Sequence, residues 1–496
     1  MKSPDPSDLT SNASSRRRFL KTTAAVASGV HLVNVSTSKA GAQIIGANER
    51  VRVGVCGIKG RGSGHIDGYV TQDNVEISTL IDVDETQFAP RQRQIRDKGG
   101  KEASNTVNDI RRALEDKDLD AVSIATCNHT HSLYAILACQ AGKHVYVEKP
   151  MSHNVWEGRK VMEAAEKYKR IVQHGTQQRS SASRAKEIAA VKSGKYGKLV
   201  VSKGYCCKPR WSIGFKETGA PPATLNWDAW LGPAPEQPYH ANLVHYNWHW
   251  FWDFGNGDTG NQGVHEIDVA RWAIDGATLP TKVWALGGRL GYEDQGQTPN
   301  MHLSVLEYGD VLLIFETRGL VGKHKDYPNK VTNEFYTTDG VIRGGKFYAK
   351  GSTEGVSVEG GTPDPIAPGG PFESFIAACR ANDPKKCNAG PEHGHFSSAL
   401  CHLGNIAYRV GSAVPFEGEK PKQFGDDPRV AQAFDTIKGN LAAAEVNLAA
   451  TKYNLSPALN FDPTAEKFTG EGDIVAKANS LLTRQYRKPW VVPDAV

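Results

Sequence analysis

Tyr146-Val147-Glu148-Lys149-Pro150 is the stretch that decides the fold of this chain. It closes the apolar run Val145–Val147 with a carboxylate, an amine and a proline in succession, so a strand ending there holds a lysine at its C-terminal lip. In open α/β sheets that lip is where ligands bind. Upstream lie Ala121-Val122-Ser123-Ile124-Ala125-Thr126, the polar turn Asn128-His129-Thr130-His131, a helix-like Leu133–Gln140, and Ala141-Gly142-Lys143-His144. This order predicts one parallel strand–helix–strand unit.

Working outward toward the N-terminus, Val51–Cys56 alternates and runs into Gly57-Ile58-Lys59-Gly60-Arg61-Gly62. A strand that turns through glycines into a helix brings the helix N-terminus to a pyrophosphate. Gly57 suits the tight turn and Gly62 close helix–sheet packing, with Lys59, Gly60 and Arg61 completing the candidate phosphate loop. Lys59 replaces the second glycine of the GxGxxG fingerprint, a departure from it. The next predicted strand, Val75–Ile81, ends in Asp82, 25 residues past Gly57. A carboxylate there is placed to accept hydrogen bonds from the adenosine ribose, which favours NAD. Arg91 and Arg93 leave NADP open.

These strand-end residues together resemble the Gfo/Idh/MocA oxidoreductase family, most specifically through Ala141-Gly142-Lys143-His144-Val145-Tyr146-Val147-Glu148-Lys149-Pro150. The resemblance reaches about residue 415. It implies an α/β protein: an N-terminal Rossmann doubly wound parallel sheet, then a C-terminal α/β domain with a large, mostly antiparallel sheet carrying the substrate site. It also implies that Lys149 lies beside the nicotinamide and the substrate hydroxyl, with Thr126, Asn128, His131 and Glu148 lining the cofactor. A cis Lys149–Pro150 bond is implied as well, and only X-Pro bonds adopt cis at low cost.

The domain junction is expected at Gly175-Thr176-Gln177-Gln178-Arg179, with Gln178 a further cofactor contact. Beyond it, Leu199–Tyr205, Lys282–Leu286, Met301–Tyr308, Val311–Thr317 and Val331–Thr337 alternate with period two, predicting an antiparallel meander with one face covered. Residues 43–176 form the expected nucleotide domain and 177–420 the substrate and oligomerisation domain. Residues 421–496 read as an extended tail with one helix, Pro428–Ala450.

Trp248-His249-Trp250-Phe251-Trp252-Asp253 is dense in aromatics, suited either to a core or to stacking on the C–H face of a sugar. It is followed by Asn261-Gln262-Gly263-Val264-His265-Glu266-Ile267-Asp268-Val269-Ala270-Arg271-Trp272. On a helix, Asn261, His265, Asp268 and Trp272 share a stripe separate from the apolar Val264, Ile267, Ala270 and Ile274. Either Asn261 or Asp268 is placed to orient the His265 imidazole. The family's D-x-x-x-H pattern falls on Asn261 and His265. With Asn for Asp, the division of labour between His265 and Lys149 stays open. Arg179, Trp211, His249, Asp253, Asn261 and His265 are the candidate substrate contacts. The histidine pairs 129/131, 245/249 and 393/395 lack a third ligand at a telling spacing, so no metal is expected.

Composition narrows the class. The 496 residues imply more than one core, and no apolar run is long enough to span a bilayer. Residues 1–42 carry Lys2, Arg16, Arg17, Arg18, Lys21 and Lys39 against Asp5 and Asp8, a net charge of +4 out of the chain's +5. The remaining +1 offers nothing to nucleic acid. Ser15-Arg16-Arg17-Arg18-Phe19-Leu20-Lys21, an apolar Thr22–Val35 and Ala40-Gly41-Ala42 match a twin-arginine export leader, so a periplasmic location is expected. The eight cysteines show no CxxC spacing and are read as free buried thiols.

The expected function is therefore an exported NAD(P)-dependent oxidoreductase taking hydride from a carbinol carbon of a sugar or polyol. Lys149 and His265 carry the proton and the charge, and a homo-oligomer is expected. No soluble nicotinamide pool is expected outside the cytoplasm, so the cofactor should be retained and recycled. Two alternatives stand: a redox-assisted glycosidase that oxidises, eliminates, hydrates and re-reduces, and a sensor that binds nucleotide and sugar without turnover.

Overall fold

A computed structural model describes residues 50–496. The leader expected at 1–42 lies outside the described residues. Six parallel strands build the first sheet: β1 (Val51–Cys56), β2 (Val75–Ile81), β3 (Asn105–Val107), β4 (Ala121–Ile124), β5 (His144–Val147) and β6 (Val172–His174). Their spatial order is β3-β2-β1-β4-β5-β6, so the chain reverses direction between β1 and β4. That reversal opens a crevice at the carboxyl ends of the strands. The strands are near-continuous apolar runs because both faces are buried.

β7 (Leu199–Cys207) begins the second sheet, of twelve strands. β7 pairs in parallel with Val311–Arg318 and antiparallel with Lys330–Thr337; its other pairings are antiparallel. Cys206 and Cys207 point to opposite faces of β7, Cys206 into the core under the helix Val264–Trp272 and Cys207 toward Val321. All eight cysteines are free.

Residues beyond 420 differ from the extended tail expected. The helix Pro428–Ala443 packs Val430, Phe434, Ile437 and Leu441 against Trp284, Leu303 and Val305 of the second sheet. Lys452–Leu455 then joins that sheet. Trp490 and Val492 enter the core of the first sheet. The helix Gly370–Ala381 also lies on the first sheet, with Phe375 and Ile376 at 0% and 1% exposure beside Val53, Val55 and Tyr146. Each such side chain contributes about 1.5–3 kcal/mol by burial, which explains why late segments return to the first sheet. No described helix is long and apolar enough to cross a membrane.

Candidate functional site

A cavity of about 400 Å³ runs along the carboxyl ends of the parallel strands, from Asp82 to Lys149. Gly57 forms its first wall at φ +77°, and a Cβ there would meet the Ala125 carbonyl at 2.7 Å. A Cβ on Gly62 would meet the Gly57 carbonyl oxygen at 2.0 Å. These two glycines let the helix Arg61–Val70 and the β4 turn close on the loop, leaving a cradle that no larger residue permits. Lys59 and Gly60 are exposed on the cavity wall. Gly60 has open space where a side chain would go.

Asp82 ends β2 as expected and lines the cavity. Its carboxylate accepts from the backbone N–H of Ile58 at 2.8 Å and of Asp84 at 2.9 Å. Burial pushes it up to about 6 against those two bonds. At the helix start after β4, Asn128 is 3% exposed and its side-chain oxygen has no partner among the described residues. Asn128 lines the cavity, and a buried amide oxygen without a partner calls for a donor. The glycine cradle, the carboxylate at the end of β2 and this orphaned acceptor all fit a nicotinamide dinucleotide.

Thr126 lines the cavity and shares a 2.7 Å hydroxyl contact with Thr130. His131 lines it too, but both ring nitrogens face backbone carbonyls, Pro150 at 2.7 Å and Thr126 at 3.1 Å. It thereby braces the β4 and β5 ends. Glu148 is likewise committed inward: one carboxylate oxygen accepts from Arg61 Nε at 2.7 Å, His65 Nε2 at 3.2 Å and Gln177 Nε2 at 3.2 Å. Burial would raise this carboxyl, yet His65, Arg61 and Lys149 hold it well below the usual range. Gln177 makes this contact with Glu148, and neither it nor Gln178, the expected cofactor contact, lines the cavity.

Lys149 stands at the cavity floor on a cis bond to Pro150, and its ammonium donates to the backbone carbonyl of Asn261. Burial lowers its pKa, Glu148 opposes that, and Arg61 adds to it. Asn261 belongs to a π-helical turn, Thr259–Gly263, that leads into the helix Val264–Trp272. This wide turn replaces the continuous helix expected, and π-turns recur at functional sites. His265 follows Asn261 by four residues, and burial together with the Lys149 charge pushes its imidazole down to about 3. It hydrogen-bonds no described residue and, unlike Lys149 and Asn261, is not among the residues that line the cavity, so the substrate contact expected of it is not made at the cavity wall.

The expected orienting partners of His265 are engaged elsewhere. Asn261 donates to the Tyr246 hydroxyl at 3.4 Å. Asp268 accepts from Arg179 Nε at 2.9 and 3.0 Å and from Ser397. This pairing removes Arg179 from the substrate contacts: the guanidinium is buried against Asp268 and stacks on Trp272, away from the cavity. Trp211 and Asp253 also stand outside it, Trp211 under the Lys323 amine and Asp253 held by Gln237. His249 does line the cavity, stacked on Trp248 at 3.6 Å, and burial pushes it down to about 3. Among the described residues no cluster of three metal-ligating side chains occurs.

Tyr246 is not among the substrate contacts expected from the sequence. It lines the cavity, is 55% exposed, and packs on His249 at 4.7 Å. An exposed aromatic face at the mouth, anchored through its hydroxyl, suits stacking on a sugar ring. The aromatic density of 246–252 was the available signal.

Residues 51–176 match the Gfo/Idh/MocA model of the oxidoreductase family's NAD-binding Rossmann fold, and 190–287 match its C-terminal α/β domain. An α-N-acetylgalactosaminidase of Shewanella oneidensis is 27% identical over 216 residues, 40% of this chain and 47% of that protein. The chain spans about half the length of the curated relatives it matches. Among solved structures, the WlbA dehydrogenase of Bordetella pertussis, in complex with NADH and UDP-GlcNAcA, aligns with TM-score 0.54 at 16% identity, covering 75% of this chain and 100% of that one. Aldose–aldose oxidoreductase of Caulobacter crescentus, complexed with glycerol, aligns with TM-score 0.53 at 15% identity, covering 73% and 98%. At these identities the structures share the fold.

Proposed function

Because the chain belongs to the Gfo/Idh/MocA oxidoreductase family and carries its NAD-binding Rossmann domain, we propose that it oxidises a ring carbinol of a sugar or polyol at Lys149. NAD, when bound, supplies the acceptor for the carbinol hydride. Gly57, Gly62, Asp82 and Asn128 would hold it. The chain's own groups do the rest. The Lys149 ammonium, aimed by the Asn261 carbonyl, places positive charge where the alkoxide develops. Burial lowers its pKa and so favours the neutral amine, which takes the hydroxyl proton and becomes that ammonium. Tyr246 and His249 wall the ring, while His265 lies behind the cavity wall within reach of the Lys149 charge.

The observation that carries this reading is the single cavity shared by Asp82, Asn128 and Lys149. A Lys149→Ala protein should keep its fold and bound nucleotide and lose turnover. Full activity in that variant refutes the assignment.

The likeness to an α-N-acetylgalactosaminidase favours a second reading with the same first step. Oxidation of a ring carbon acidifies the adjacent C–H. Loss of that proton expels the glycosidic substituent, water adds, and the hydride returns, for a net hydrolysis. Turnover of a glycoside in deuterium oxide separates the two. Cleavage with deuterium at one ring carbon supports the glycosidase; oxidation without cleavage supports the dehydrogenase. For location, the Ser15–Lys21 pattern supports export, and cell fractionation of an Arg16→Lys/Arg17→Lys variant tests it.

A further inference from the structure

Between β7 and the helix Val264–Trp272 the chain crosses back over the Rossmann crevice. Glu85 N–H donates to the Thr224 carbonyl at 3.0 Å, and Asn226 N–H to the Val83 carbonyl at 2.7 Å. His245 Nε2 lies 2.9 Å from the Asp84 carboxylate, and His129 Nε2 donates to the Trp230 carbonyl at 2.8 Å. The strap so fastened puts Ala229, Trp230, His245, Tyr246 and Trp248 on the cavity wall opposite the glycine loop. It closes over the site where a dinucleotide would lie.

The strap is itself held from outside. Its short helix Trp227–Leu231 carries Ala229 and Trp230 inward and Asp228 outward. The Arg487 guanidinium bonds the Asp228 carboxylate at 2.5 Å and the Gly232 carbonyl at 3.1 Å. Trp490 Nε1 donates to the other Asp228 oxygen at 3.0 Å. Arg484 bonds the carbonyls of Asp253 at 2.9 Å and Pro233 at 3.2 Å. Trp490 is 1% exposed, in one core with Tyr134 and Ala229, and the Arg111 guanidinium covers its ring at 3.9 Å. The carboxy-terminal residues thus pin the roof of the cavity to its wall.

We propose that Arg484, Arg487 and Trp490 are positioning residues of a clasp that holds the strap shut and makes the dinucleotide captive. Release of the nucleotide requires the strap to lift, and lifting it breaks the Asp228 bonds and exposes Trp490. The inference rests on the carbinol-oxidising reading and adds a constraint on the reaction class. A captive cofactor cannot hand its hydride to a soluble pool. The two electrons and hydrogen taken from one carbinol carbon are then passed to an acceptor that reaches the site, and the carbonyl carbon of a second sugar, or of the same ring after its substituent has left, is such an acceptor. With either the net reaction is redox-neutral.

The test uses the full-length protein and needs no sugar. Nucleotide is counted after exhaustive gel filtration and denaturation, and its release rate is followed with bound NADH against excess unlabelled NAD. The wild type should retain near one equivalent. Arg487→Ala should release nucleotide at least about tenfold faster with its unfolding temperature in saturating NAD close to wild type. Arg487→Lys, which keeps the charge and loses the fork, should fall between. If Arg487→Ala does not fold, Trp490→Phe, which keeps the packing and removes the bond to Asp228, serves in its place. Wild type that loses its nucleotide on filtration, or variants that hold it as tightly as wild type, overturns the clasp. Retention is read independently of turnover: a protein that keeps NAD but oxidises no sugar sinks the carbinol chemistry and leaves the clasp standing.

Discussion

The ammonium of Lys149, at the end of a Rossmann strand, donates to the main-chain carbonyl of Asn261 in the π-turn of the second domain. The reactive amine of one domain is therefore aimed by the backbone of the other. Gly263 makes that turn possible, since a Cβ there would meet the buried Phe315 ring at 2.4 Å. Gly263→Ala should cost about 1–3 kcal/mol through overpacking. It should also lower kcat more than it lowers nucleotide affinity, because Lys149 loses its aim while the glycine loop stays intact. Denaturant melts and nucleotide titration on one preparation check both.

Lys149 itself should account for about 10²–10⁴ in kcat, the usual range for general acid–base groups. Steady-state rates of Lys149→Ala with nucleotide content matched to wild type measure this. A tenfold loss or less would assign the proton transfer elsewhere.

The pH profile separates the two candidate bases. Burial lowers the Lys149 pKa from its usual 10.5, whereas His265 is pushed down to about 3. Oxidation through a neutral lysine should rise with pH through one inflection below 10.5 and then level. A histidine base would be neutral throughout and give a flat profile above about pH 5. His265→Gln should keep the inflection, whereas a wild-type profile flat above about pH 5, with the rate lost in His265→Gln, would transfer the base role to His265.

Asp82 predicts a second, lower-pH effect. Burial raises its folded pKa to about 6, so the carboxylate that would accept the ribose hydroxyls is lost as pH falls through that value. Nucleotide affinity should weaken below about pH 6 and level off above it. Asp82→Asn should flatten that dependence, and titration calorimetry at several pH values measures it.

Asp268 and Arg179 are a matter of stability. Burial would raise the Asp268 carboxyl, but the Arg179 and Arg271 guanidiniums hold it far below the usual range. A depressed folded pKa contributes stability above the unfolded value near 4 and loses it as pH falls further. Asp268→Asn strands two buried guanidiniums and should destabilise by about 3–5 kcal/mol. Chemical denaturation at neutral pH reads this directly, and a loss under 1 kcal/mol would mean that Ser397 or water replaces the pairing.

The sequence by itself determined the strands, the glycine loop, Asp82 and Lys149, because each follows from rules acting within a few residues. Apolar periodicity marks β1, β2, β4 and β5. Gly57 and Gly62 mark a close approach, and a carboxylate or amine at a strand end falls on the ligand-binding edge of any open parallel sheet. Only the tertiary structure decided what Arg179, Trp211 and Asp253 face, for each lies in a single 3-10 turn or in irregular chain, where the partner, not the spacing, sets the role. Arg179 reads as a substrate cation until Asp268, 89 residues on, accepts its bonds. Tyr246 and the strap emerge only when residues 221–250 fold back across the first domain. The carboxy-terminal segment looks featureless in sequence because Arg487 and Trp490 find Asp228 some 260 positions earlier. Contacts of that separation leave no local trace, so packing alone reveals them.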